Sequence, residues 1–271
     1  MRRDQPGSLQ QKKSLGQVFL TTDWPVTRMA EKLRDNRVDR VLEIGPGGGM
    51  LTRGLLQAGL RVLAVEKDDR FAARLGEYVA SLPADKQGLL EVVNEDVLRY
   101  DWEPFVMSGG RHAIVGNIPY NISSPLVIRT LGAMRHLTCA IFMTQLEFAA
   151  RLVARPDTKD YGSLSVFAQL RAELTLEFKV ERGCFKPVPK VDSAVVSFWP
   201  RREVIDDLTL HQVEQVTRLA FQQRRKKMRN SIRPLLDARG GEAGCPIDLE
   251  RRAETLSIRE FITLAKFLLE P

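Results

Sequence analysis

The sequence predicts an α/β fold, a mostly parallel sheet whose last strand is antiparallel, followed by a small all-helical domain. Three observations carry this. Arg40-Val-Leu-Glu43-Ile44 is a short apolar run that passes through Gly45-Pro-Gly47-Gly-Gly49 into helical periodicity over 50–58. A second apolar run, 61–65, ends in Glu66, twenty-one residues after Gly45. From about Arg201 the strand pattern stops and helical periodicity takes over.

The elements follow in order. Residues 1–14 mix Arg2, Arg3, Lys12 and Lys13 with Gln, Ser, Gly and Pro, the composition of a flexible basic arm. Gln17 to Leu20 are expected in a loop, and Thr22 or Asp23 can cap a helix over 24–34 with Pro25 near its start. A helix over 69–81 precedes a third strand, 89–93, which ends at Asn94-Glu-Asp96-Val97. The strand 111–116 ends at Asn117-Ile-Pro119-Tyr120 and is followed by a helix over 125–135. A strand at 138–144 and a helix at 146–154 come next, the latter with Glu147 and Arg151 at i,i+4 spacing. A helix from 161, a strand at 174–180, a proline loop at 184–190 and an antiparallel strand at 193–199 complete a domain expected to span 15–200. Helices over 211–229, 248–256 and 258–269 form the second domain, 201–271.

With 271 residues and 44% hydrophobic content, the chain suits one large or two modest domains. No stretch approaches the ~20 apolar residues of a membrane span, and the N-terminus has no apolar signal segment, so a cytoplasmic protein is expected. Three cysteines and three histidines are not at ligand spacing, so no metal is expected. A net charge of +7 points to a polyanionic partner. Residues 218–239 hold eight basic residues against the single acid Asp237, an excess equal to that of the whole chain. Arg224, Arg225, Lys226, Lys227 and Arg229 form either a solvated helix face or a set of phosphate contacts.

Ligands of open α/β sheets collect at the carboxyl ends of the strands, where Gly45, Glu66, Asp96 and Asn117 would all fall. Glu66 has the spacing of an acid that grips ribose hydroxyls, and Asp96 is either surface charge or an acceptor for an adenine amine. The glycine loop is neither G-x-G-x-x-G nor a phosphate loop followed by Lys-Ser/Thr, so a dinucleotide is not the first choice. Asn117 and the Pro119 carbonyl can accept both hydrogens of an exocyclic amine while Tyr120 stacks on the base. A plain strand-to-loop turn is the competing account of the same tetrapeptide. Phe185, beside two prolines, either covers a base or packs in the core.

The Glu-x-Gly-x-Gly-x form of 43–48 resembles the first motif of S-adenosylmethionine-dependent methyltransferases, which implies their Rossmann-like sheet. Further motifs narrow the resemblance: Leu15-Gly-Gln17-Val18-Phe19-Leu20, Asn117-Ile-Pro119-Tyr120-Asn-Ile-Ser, Phe185-Lys-Pro-Val-Pro-Lys-Val-Asp-Ser and Ala220-Phe-Gln-Gln-Arg-Arg-Lys-Lys-Met-Arg-Asn-Ser231. Together they resemble the ribosomal RNA adenine N6-dimethyltransferase family, most closely its small-subunit branch. The resemblance implies S-adenosylmethionine as cofactor, held by Gln17, Val18, Leu20, Glu43, Gly45, Gly47, Gly49, Glu66, Asp96, Val97 and Asn117. It implies Asn117, Pro119, Tyr120 and Phe185 as the groups at the target base, and a monomer acting on 16S ribosomal RNA in a pre-30S particle, with no membrane partner. One departure stands out: the family usually has Asn or His at the position of Val18, so only backbone contacts carry over there. A 23S ribosomal RNA methylase of the antibiotic-resistance type and a non-catalytic RNA-binding assembly or transcription factor on the same fold are the alternatives.

Overall fold

The computed structural model describes residues 18–269. Its described residues divide into two compact units, one running to Leu146 and taking in Glu177–Phe198, the other comprising Glu147–Leu176 and the described residues from Trp199 on. The strands are β1 (Phe19–Leu20), β2 (Arg40–Ile44), β3 (Arg61–Glu66), β4 (Leu90–Asn94), β5 (His112–Asn117), β6 (Cys139–Gln145), β7 (Ala172–Val180), β8 (Phe185–Lys186) and β9 (Ser193–Pro200). Seven of them form a sheet in the order β4-β3-β2-β5-β6-β9-β7, and β1 pairs with β8 separately.

β2 is the centre of the first unit because Val41, Leu42 and Ile44 are apolar and wholly buried, as a parallel strand covered on both faces requires. It pairs in parallel with β3 and β5, and β3 with β4 and β5 with β6 likewise. β9 runs antiparallel to β6, as the alternation over 193–199 predicts. The register is what builds the site. Ile44 lies opposite both Val65 and Gly116, so the next residues of the three strands, Gly45, Glu66 and Asn117, leave the sheet side by side. β4 ends level with them, with Asn94 opposite Glu66.

The helices of this unit are α1 (Trp24–Asp35), α2 (Met50–Gln57), α3 (Asp69–Ser81), α4 (Ala84–Gln87), α5 (Glu103–Met107) and α6 (Ser123–Ala133). Asp23 is the N-cap of α1, although its side chain makes no capping bond; its carbonyl takes Thr27 N–H and Pro25 sits in the first turn. α3 spans the predicted residues and is capped by Asp68, which accepts from the Arg70 N–H.

The second unit carries α7 (Leu146–Val153), α8 (Ser163–Arg171), α9 (Asp207–Gln222), α10 (Met228–Ser231), α11 (Arg233–Arg239) and α12 (Ile258–Leu269). Its core joins Tyr161, Val166 and Leu170 to Val213, Val216, Phe261 and Leu264, so residues 147–176 fall with the C-terminal helices rather than with 15–200. The buried Tyr161 hydroxyl is satisfied by the Leu256 carbonyl at 2.8 Å. No ion pair joins Glu147 to Arg151 among the described residues.

Two expected helices differ. The helix predicted over 211–229 begins earlier, where Asp206 caps α9 by accepting from Thr209 N–H at 2.8 Å, and stops at Gln222. It does not reach 229 because the Met228 and Arg229 N–H groups go to the carbonyls of Arg251 and Leu249, which also prevents the helix expected over 248–256. Only a 3-10 turn, Ala253–Thr255, remains there. The basic arm, 1–14, and Gln17 lie outside the described residues. No helix among those residues is long and apolar enough to cross a membrane.

Candidate active site

The side-by-side ends of β2, β3 and β5, with the turn after β4, form one wall of a cleft closed by the glycine loop and by Val18 to Leu20. Phe19 and Leu20 are not in a loop as expected; they pair with Lys186 and Phe185 as the short ladder of β1 and β8. That ladder fixes the Phe19 ring against Phe71, 5.3 Å between centroids, and over the glycine loop.

Gly45, Gly47 and Gly49 all have positive φ, at 58°, 51° and 74°. At Gly47 the need for glycine is double, because a Cβ would also sit 2.9 Å from Phe19 Cε1. Its N–H donates to Glu66 Oε2 at 2.9 Å and Asp68 N–H donates to Oε1 at 2.8 Å. Each carboxylate oxygen of Glu66 therefore keeps a lone pair for a ligand hydroxyl. Burial raises the Glu66 carboxyl above its usual range, against the pull of those N–H groups. Gly49 starts α2 but is not part of the cleft wall.

Glu43 is the most unusual side chain of the cleft. It is 1% exposed, and neither carboxylate oxygen is in full hydrogen-bond geometry with a donor among the described residues, although the Thr52 hydroxyl and N–H are close enough to favour its ionised form. Burial pushes its carboxyl up to about 8, the Glu66 charge adds to this, and Thr52 and Arg53 oppose it. A buried acid so weakly partnered suits a ligand that brings its own cation or donor.

Asp96 accepts from Leu98 N–H at 3.0 Å and from Lys67 Nζ at 2.7 Å, and the Lys67 bond holds its carboxyl below the usual range. The Val97 carbonyl is taken by Trp102 Nε1 and Arg129 Nη1, whereas its N–H donates to nothing among the described residues. A carboxylate beside a free N–H matches the amine and neighbouring ring nitrogen of adenine.

At the end of β5, Asn117 Nδ2 donates to the Val18 carbonyl at 3.2 Å. That carbonyl can only accept, so the amide nitrogen must face it and Oδ1 is left to accept from elsewhere. Val18 thus acts through its backbone, orienting Asn117. The Pro119 carbonyl is not the second acceptor that the sequence suggests. Ile122 N–H, at 3.1 Å, and Ser123 Oγ, at 3.2 Å, already use its two lone pairs to form the turn after β5. The Ile118 carbonyl, by contrast, accepts nothing among the described residues, and Ile118 lines the cleft.

The two aromatic candidates are placed differently. Tyr120 is half-buried beside the acceptors, its hydroxyl 3.5 Å from Ser193 Oγ, and it is not part of the cleft wall. Phe185 is 2% exposed, paired with Leu20, and away from the cleft wall, so of its two readings core packing is the one observed.

Arg224 to Lys227 lie between α9 and α10 and Arg229 on the short α10, rather than on one helix face, and the charges divide into two kinds. Arg224 donates to the Lys159 and Tyr161 carbonyls and pairs with Glu254; Lys227 pairs with Glu250, and Arg229 with Glu242 and Glu250. Arg225 and Lys226 are exposed and form no ion pair among the described residues.

The cleft wall also contains Arg53 and Lys67, which sequence reasoning missed, and Phe19 and Ile118, which it named within their motifs without giving their own groups a role. Arg53 had a signal, a cation in the first turn of a helix, where the macrodipole disfavours it. Ile118 had none, since only its carbonyl matters and every residue carries one.

A family model described as "Ribosomal RNA adenine dimethylase" matches residues 8–270. A protein named ribosomal RNA small subunit methyltransferase A from Rhodopseudomonas palustris (strain BisB18) is 41% identical over 265 residues, covering 96% of this chain and 91% of the relative. One of the same name from Chlorobium phaeobacteroides (strain BS1) is 40% identical over 258 residues, covering 95% and 93%. Among solved structures, the 23S rRNA methyltransferase ErmE is 30% identical with a TM-score of 0.69, covering 92% of this chain and 99% of its own. A dimethyladenosine transferase from Plasmodium falciparum has the same fold, with a TM-score of 0.71 at 24% identity, covering 90% and 95%.

Proposed function

Because the chain belongs to the ribosomal RNA adenine dimethylase family, we propose that it transfers methyl groups to N6 of two adjacent adenosines near the 3′ end of 16S ribosomal RNA, two on each. It acts in the cytoplasm, as a monomer, on a pre-30S particle during small-subunit assembly. The observation that carries this is the pair of acceptors at the end of β5, Asn117 Oδ1 and the Ile118 carbonyl, in one cleft with Glu66 and Asp96.

The cleft fits S-adenosylmethionine. Gly45 and Gly47 allow close backbone approach, Glu66 keeps free lone pairs for ribose hydroxyls, and Asp96 with Val97 N–H offers an acceptor and a donor to adenine. When bound, this cofactor would supply a methyl group on a sulfonium, with a neutral thioether as the leaving group. The protein's task is to make the adenine nitrogen nucleophilic. The adenine amine is flat because its lone pair is delocalised into the ring. Accepting its two hydrogens at Asn117 and Ile118 favours a tetrahedral nitrogen, and so stabilises the transition state more than the ground state. No strong general base is needed, since the methylated nitrogen is acidic enough to lose its proton to water. Guanine would set a carbonyl against the same acceptors and be rejected. N6-methyladenine still has one hydrogen to donate, which permits the second transfer. Tyr120, next to the acceptors, is the stacking face for a flipped base, a contact of roughly 1–3 kcal/mol.

Incubating the protein with unmethylated 30S particles and labelled S-adenosylmethionine should place label on two adjacent adenosines of 16S RNA. No label at adenosine would sink the assignment, and label only on the 23S RNA of 50S particles offered in parallel would favour the antibiotic-resistance type. The relatives of about 40% identity named for the small subunit support the first outcome.

Phosphate contact falls to Arg225 and Lys226. Replacing both by Ala should flatten the plot of log affinity against log salt by roughly 1.4, at about 0.7 per lost single-strand phosphate contact, with no change in Tm. Arg224→Ala should instead cost about 1 kcal/mol of stability, because two backbone carbonyls lose their donor. Thermal unfolding alongside filter binding over a salt series separates the two, and a salt slope unchanged in the double variant would refute the division.

A further inference from the structure

The cleft has a charge pattern that the contacts above leave unused. Two cations lie on its wall, Lys67 and Arg53. The Lys67 ammonium is held by Asp96 at 2.7 Å. Arg53, on the first turn of α2, is exposed and makes no ion pair among the described residues. Its Nη1 donates to the Gly48 carbonyl at 3.1 Å, which lays the guanidinium along the glycine loop and leaves Nε and Nη2 without acceptors among the described residues. On the same cleft wall is Glu43, a buried acid, 1% exposed, whose oxygens are not in full hydrogen-bond geometry with any donor among the described residues. A guanidinium with unused donors and a buried acid that can ionise together complement an α-amino acid, whose carboxylate suits the planar guanidinium fork and whose ammonium suits the ionised acid. Val18, on the same cleft wall, has no side-chain donor to offer a carboxylate.

We infer that Arg53 is a further cofactor-binding residue, which takes the carboxylate of the methionyl group through its free guanidinium donors with Glu43 opposite the ammonium. The inference rests on S-adenosylmethionine as the cofactor. Arg53 also explains its own position: a cation costs stability at the positive end of a helix dipole, and an arriving carboxylate removes that cost.

The test is calorimetric binding by the full chain of S-adenosylmethionine and of its decarboxylated analogue, with no RNA present, for wild type, Arg53→Gln and Arg53→Lys. Arg53→Gln should weaken S-adenosylmethionine binding about five- to tenfold, the range of a solvent-exposed charge-assisted contact, and change binding of the analogue less than about twofold. Arg53→Lys should retain part of the preference for the carboxylate-bearing ligand, since the charge is kept and the fork lost. Equal weakening of both ligands by Arg53→Gln would mark Arg53 as a support of the loop and overturn the inference, as would no weakening of either. A wild-type protein that binds neither ligand would overturn the cofactor assignment itself, whereas wild-type binding with an indifferent Arg53→Gln overturns Arg53 alone.

Discussion

Asn117→Ala should slow methyl transfer by at least about 10²- to 10³-fold while RNA affinity changes less than about twofold. The magnitude is that of deleting one preorganised polar group aimed at a transition state. The separation follows from geometry, because Asn117 sits at the end of β5 with Nδ2 on the Val18 carbonyl, whereas the exposed cations Arg225 and Lys226 lie on a turn of the second unit. Single-turnover rates with saturating particles, set beside equilibrium RNA binding, give both quantities. Asn117→Asp is the sharper variant: it keeps an acceptor but puts carboxylate oxygen against the Val18 carbonyl, so it should also fail. A wild-type rate in Asn117→Ala would remove the amine-acceptor mechanism, and an equal loss of RNA binding would mean that Asn117 shapes the RNA site.

Glu43→Gln should make the protein more stable at high pH and uncouple cofactor binding from proton release. The Glu43 carboxyl is raised from 4.5 to about 8 by burial, so the folded state holds a proton that the unfolded chain has lost over that interval. Below about 4.5 both states are protonated and Glu43 has no effect on stability. As pH rises from there to about 8, the folded state binds more protons than the unfolded one and stability falls; above about 8 the penalty is complete. Gln cannot ionise, so its advantage over wild type should grow through that window to roughly 2–5 kcal/mol. Unfolding curves at pH 5 and pH 9 test this, and an advantage that does not grow would show that Glu43 titrates normally. On the binding side, a ligand ammonium beside Glu43 favours the carboxylate. Wild type should therefore release a proton on binding S-adenosylmethionine at pH 6.5, seen as heats that vary with buffer ionisation enthalpy. Glu43→Gln should lose that variation.

The sequence by itself determined the sheet, the glycine loop and the order of polar strand ends, because these follow from apolar runs of strand length bounded by residues that end strands. Arg40–Ile44, Arg61–Glu66 and His112–Asn117 lie within a residue of where the pattern puts them, and parallel pairing then brings Gly45, Glu66 and Asn117 together. The tertiary structure alone decided which of those atoms are free to bind. Pro119 and Ile118 both carry a carbonyl, and only the turn formed by Ile122 and Ser123 shows that the first is occupied. Phe185 looks the same in sequence whether over a base or under Leu20, and pairing of β1 with β8 buries it. The basic run reads as helix until its backbone N–H groups find carbonyls near residue 250, and of its cations only Arg225 and Lys226 remain without acidic partners among the described residues. Residue types and their period are local properties of the chain. The occupancy of a lone pair, a ring face or a charge depends on neighbours far away in sequence, which only the folded chain assembles.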